Sequence, residues 1–175
     1  MQKNTARPLT VGLIALGALA RVLPHLPNFT PVGSFSLFGG ARLRGWQAWI
    51  VPLALMAITD PIVGGYSATT PFVYASFLIA VWIGTRLRKT ESPVAIGGAA
   101  VVCSLQFFLI TNFGSWLAFP QTYAHTLAGL ANCYVAAIPF YGRTLASELL
   151  YSAALFGLHS WLTRTVSRSE PVAVA

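Results

Sequence analysis

The sequence predicts an all-α membrane protein, a bundle of about six transmembrane helices with one short or re-entrant helix packed among them. Hydrophobic residues make up 55% of the 175 and charged residues only 9%, too little charge to coat a soluble domain of this size. Apolar runs bounded by Pro, Gly and Arg recur from Leu9 to Leu162, several near the roughly 20 residues that a perpendicular span needs. Basic residues collect in alternate connections, as the positive-inside rule requires.

The first run, Leu9–Leu23, follows Lys3 and Arg7 in the manner of a signal peptide. No small-residue cleavage site comes after it, so it reads as a retained helix. The next stretch, RVLPHLPNFTPVGSFSLFGG, carries Pro24, Pro27 and Pro31, which cannot continue a helix and hold their preceding residues extended. A stiff loop results, fixing His25, Asn28 and Thr30 either as a gate over an outward-facing site or as a rigid turn that satisfies its own backbone. Val32–Ala41 is too short to cross alone and must pack on neighbours. Trp46–Ile58 runs up to Asp60–Pro61, and Phe72–Leu87 and Val94–Phe113 follow as the fourth and fifth helices.

From Ser92 to Gly142 there is no charged residue, yet Pro120, Gln121, Thr122, His125 and Thr126 interrupt the stretch as a loop or cap. Leu127–Ile138, short or re-entrant, and Thr144–Leu162 complete the set within a single domain, 1–175, that shows no internal repeat. If the first five segments cross, Lys3, Arg7, Arg42, Arg44, Arg86, Arg88 and Lys89 share the cytoplasmic face. A re-entrant 127–138 then returns Arg164 and Arg168 to that face, which puts nine of the eleven basic residues inside, with both termini. The expected location is the inner (cytoplasmic) membrane, multi-pass. The net charge of +7 needs only this bias and anionic lipid, not nucleic acid. Cys103 and Cys133 lie in apolar segments without a CxxC or Cys/His cluster, so no disulfide framework or zinc site is implied.

Intramembrane ionisable groups are costly and mark functional sites. Asp60 precedes Pro61, which makes it either a helix N-cap or a contact to a ligand or ion. Glu148 and His159 nearly superimpose at 100° per residue, with Ser152 and Tyr151 flanking them. That face lines a cavity, or else Glu148 neutralises Arg143. Gln106 and Asn112 can bond across helices as glue or face the pocket, while His125 and Asn132 share a face seven residues apart. Gly129, Cys133 and Ala137 form a packing stripe of small residues. Candidate substrate contacts are thus His25, Asn28, Thr30, Asp60, Gln106, Asn112, His125, Asn132, Glu148, Tyr151 and His159. No metal site is expected: Cys103 reads as a buried inert cysteine, with a soft ligand to a corrinoid cobalt as the alternative.

The passages RVLPHLPNFTPVGSFSLFGGA, PLALMAITDPIVG, FFLITNFGSWL and GLANCYVAAIPFYGRTL together resemble a family of small bacterial integral membrane proteins described only as transport proteins. The likeness runs over nearly the whole chain. More distantly, the layout is similar to the S components of energy-coupling-factor vitamin transporters, including Pro139–Phe140 before the last helix. The resemblance implies a substrate-binding protein for uptake of a small organic solute or vitamin, with an outward-facing pocket gated by the 24–31 loop. Its implied partners are the bilayer, the solute, and an energy-coupling module or a second copy. GxSxG, HExxH and Walker motifs are missing, so neither an enzyme nor a cofactor is expected. The alternative is an intramembrane enzyme or membrane assembly factor using Glu148, His159 and His25 as acid and base groups.

Overall fold

The computed structural model describes residues 6–23 and 29–169, with side chains from 8 to 165 within those spans. The described residues form six helices and no strand: α1 (Ala6–Val22), α2 (Val32–Arg42), α3 (Gln47–Val63), α4 (Thr70–Arg86), α5 (Pro93–Ala118) and α6 (Leu127–Ser169). Contacts run α1 to α3, α3 to α4, α4 to α5, α5 to α6 and α6 back to α1, while α2 touches all five. Five helices therefore form a ring around α2. Every residue of α2 from Val32 to Ala41 is buried, which explains a composition of Phe and Leu spaced by Gly and Ser. The aromatic and aliphatic side chains fill the core, and the small residues admit neighbouring backbones.

Two glycines show how close that approach is. A Cβ on Gly40 would overlap the carbonyl of Val81 in α4, and one on Gly84 would overlap the carbonyl of Leu37 in α2. Each helix presents a glycine to the other's backbone. At its far end α2 is tied to the α4–α5 turn, where Arg42 donates to the carbonyls of Leu87 and Thr90 (3.3 Å each) and Arg88 to that of Gly40 (3.2 Å). Arg164 pairs there with Glu91 at 3.1 Å. The other end gathers the close of α1 and α3 and the start of α2 and α4, so successive helices alternate in direction.

Three boundaries differ from the sequence expectation for physical reasons. Leu127–Ile138 is not a separate short or re-entrant helix, because α6 continues through Pro139 for 43 residues. Contacts to α5 hold it on both sides of the proline: Tyr134 donates to the Leu109 carbonyl at 2.7 Å, the Cys133 thiol to that of Asn112 at 3.3 Å, and Phe108 packs on both Tyr134 and Tyr141. Similarly, α3 runs through Asp60–Pro61 to Val63 instead of ending at Ile58. Pro61 has no N–H to offer the Ala57 carbonyl one turn back, and the Tyr66 hydroxyl supplies that bond at 3.0 Å. α5 begins at Pro93, with Ser92 as N-cap accepting from the Ala95 N–H, and it extends five residues beyond Phe113.

Among the described residues, α5 is long and apolar enough to cross a membrane, whereas the apolar helices Pro8–Val22 and Gln47–Val63 are shorter. α2, at about 16 Å from its 11 residues, cannot span a roughly 30 Å hydrocarbon core. The outward faces of the ring are apolar, with Leu16 and Leu19 on α1, Ile58 on α3, Trp82 on α4, Val102 on α5 and Leu150 on α6 all exposed.

Candidate functional site

At the end where α1 and α3 close, a cavity of about 190 Å³ opens between α1, α2, α3, α4, α5 and α6. Its walls combine Met56, Val73, Phe77 and Phe107 with Arg21, Thr30, Thr144, Ser147 and Glu148. A second cavity of about 270 Å³ adjoins it, shares Val73, Phe107 and Thr144, and adds Thr111, Asn112 and Tyr141.

Glu148 reaches this place from the buried face of α6. It is 4% exposed, and its Oε2 accepts from the Ser34 hydroxyl at 2.7 Å, the same hydroxyl lying 3.0 Å from the Glu148 carbonyl. Gly33 makes the room, since a Cβ there would occupy the place of Oε1. The carboxylate thus sits at the N-terminus of α2, which has no side-chain cap of its own. The unpaired first-turn N–H groups and the helix dipole favour an anion there by about 0.3–1 kcal/mol, up to about 2 in buried geometry. Glu148 makes no ion pair among the described residues, and Arg143 is exposed, so the alternative of a pairing with Arg143 is not present.

Asp60 is the second buried acid, and it is not an N-cap. Its Oδ1 meets Arg21 Nη2 at 2.6 Å, and its Oδ2 accepts from the Tyr74 hydroxyl at 2.6 Å. Arg21 also donates to Thr59 Oγ1 at 2.6 Å. Arg21 and Asp60 are the last ionisable residues of two helices that end side by side, so the pair clamps α1 to α3 at the cavity rim. Sequence reasoning passed over Arg21, Ser34, Tyr74 and Ser147. The signal available for Arg21 was a lone cation at the close of one apolar helix matched by a lone acid at the close of another.

The other candidates scatter. Thr30 lines the cavity, and Phe29 beside it packs on Tyr151 with ring centres 5.8 Å apart. His25 and Asn28, with Pro24 and Pro27, lie outside the described residues. Asn112 lines the second cavity while donating to the Phe108 carbonyl. Gln106 bonds the Ser76 and Cys103 carbonyls at 3.1 Å each, joining α4 to α5. His125 packs at a tilt against Trp116 and lies 3.1 Å from its carbonyl in the α5–α6 turn, and Asn132 is exposed, so neither reaches the cavity.

His159 is buried edge-on against Phe38, with neither ring nitrogen bonded among the described residues. It stands 11 residues along the same helix from Glu148, about 16 Å. The two cannot share a reacting atom. Cys103 is buried in the core and forms no part of either cavity wall. A corrinoid is far larger than either space, and no group of three metal-ligating side chains occurs among the described residues.

The sequence profile of one family matches residues 1–171. The chain belongs to the DUF6580 family. That family is described as one of unknown function, and no curated protein and no solved structure matches the chain.

Proposed function

We propose that this DUF6580 protein is a multi-pass membrane protein of the bacterial inner membrane that captures a small organic solute in the Glu148 cavity for uptake. The observation that carries this reading is the buried carboxylate, held by Ser34 and Gly33 in a walled cavity with no neutralising cation bonded to it among the described residues. Burying such a group costs several kcal/mol unless it is compensated, and bilayer-embedded acids characteristically line solute or ion pathways. The apolar exterior of the ring supports a lipid surrounding. α2, buried at the centre of the ring, then belongs to one descending crossing. Both termini face the cytoplasm, the side of Arg42, Arg86, Arg88 and Lys89. Thr30, in the described part of the 24–31 segment, lines the cavity and would carry its gate.

The site reading is tested by native mass spectrometry of the protein released from mild detergent. Wild type is expected to retain a small molecule that raises its Tm when added back. Gly33→Ala and Glu148→Gln should both remain folded and lose at least about tenfold in affinity, the loss of a charge-assisted bond of about 1.5–3 kcal/mol. The added Cβ of Gly33→Ala displaces only the far end of a side chain, so the carboxylate and not the helix gives way. Full retention of the molecule in both variants rejects the site. Topology is checked separately by thiol labelling: Ala68→Cys should react from the outside and Lys89→Cys from the cytoplasm, and the reverse pattern inverts the orientation.

A further inference from the structure

The charges around the cavity do not balance, and the imbalance specifies what would fill it. Among the described residues, two charged side chains reach its walls, Arg21 and Glu148. Arg21 is committed through Nη2 to Asp60 and through Nη1 to Thr59, and the second Asp60 oxygen is taken by Tyr74. That group is closed and neutral. Glu148 has a donor on Oε2 only, and no donor among the described residues reaches Oε1. The N-terminus of α2 offsets about half an elementary charge, which leaves the cavity negative.

The neighbouring hydroxyls point the same way. Ser147 donates to the Thr144 carbonyl at 2.9 Å and Thr144 to that of Phe140 at 3.4 Å, so their protons are turned into their own helix. What they can offer the cavity is acceptor lone pairs. The opposite wall is Phe77 stacked on Phe107, ring centres 5.6 Å apart, with Met56 beside them. Aromatic faces attract cations as well as apolar groups. The volume of about 190 Å³ is below the roughly 300–1,000 Å³ of pockets for drug-sized ligands, so the occupant is small.

We infer that the solute of this cavity is a small organic monocation, an ammonium carried on a compact apolar or aromatic body, with its N–H groups directed at Glu148 Oε1. This rests on the reading of the cavity as a solute site and adds the charge class to it.

The test uses three probes that share one skeleton: phenethylamine as cation, 2-phenylethanol as neutral and 3-phenylpropanoate as anion. Kd is measured by calorimetry on the full chain in nanodiscs, alongside the charge of any copurified molecule. Phenethylamine is expected to bind at least about tenfold more tightly than 2-phenylethanol, with 3-phenylpropanoate weakest. Glu148→Gln should weaken the amine by about tenfold or more while leaving the alcohol within about twofold, a split that a merely destabilised fold would not give. If the alcohol or the carboxylate binds wild type as tightly as the amine, the cation assignment is overturned and the solute site stands. If no probe binds, a copurified cation sustains the assignment and a copurified neutral or anionic molecule overturns it. Absence of any probe binding and of any copurified molecule defeats both the charge class and the solute site.

Discussion

Asp60→Asn is expected to remove about 3–5 kcal/mol of stability, the cost of leaving a buried partner charge unpaired. Arg21 and Asp60 are 13% and 7% exposed in their side chains and meet at 2.6 Å, so the guanidinium is left with little solvent to compensate it once the carboxylate has gone. The comparison that isolates the charge is the triple variant Arg21→Met, Asp60→Leu, Tyr74→Phe. It removes both charges and the Tyr74 hydroxyl that bonds Asp60, and it should cost far less than Asp60→Asn alone. Thr59 keeps its bond to the Leu55 carbonyl in every variant. Unfolding followed in mild detergent decides the matter. A loss below about 1 kcal/mol for Asp60→Asn would place the pair in solvent, with the small value of a screened surface bridge.

The second large effect is steric. Gly84→Ala and Gly40→Ala each place a Cβ on a backbone carbonyl of the partner helix, and a backbone, unlike the end of a side chain, cannot swing away. Overpacking costs about 1–3 kcal/mol where side chains can adjust and more where they cannot, so each variant should lose at least about 3 kcal/mol. Gly97→Ala and Gly157→Ala provide the opposite sign. Nothing lies within 4 Å of a Cβ at either, and alanine is favoured over glycine in a helix by about 0.5–1 kcal/mol. Melting measured by size-exclusion after heating should therefore fall for Gly40 and Gly84 and hold or rise for Gly97 and Gly157. Equal tolerance at all four positions would mean that α2 does not lie against α4.

Helical segments and their order were readable because apolar runs and their punctuation are local properties of the chain. The buried polar face of Glu148, Ser152 and His159 was readable too, since side chains eleven residues apart on one helix share a direction whatever surrounds them. Helix ends at prolines were not. Pro61 and Pro139 each remove a backbone donor, which reads as a stop, but Tyr66 restores the bond at the first and the α5 contacts bracket the second. Those partners come from elsewhere in the fold.

The sequence by itself determined that the chain builds apolar helices, and that its acids are few and far apart. Only the tertiary structure decided how each acid is accommodated. Asp60 and Arg21 are 39 residues apart, and Glu148 and Ser34 are 114 apart, so neither pairing leaves a periodic trace in the chain. The shortness of α2 is visible in the sequence, but its place at the hub of five helices follows from which glycines meet which carbonyls. That placement is also what sets an uncapped helix N-terminus beside Glu148. Local patterning fixes which way a side chain leaves its own helix; a cavity depends on several helices at once, and its charge balance exists only after they have packed.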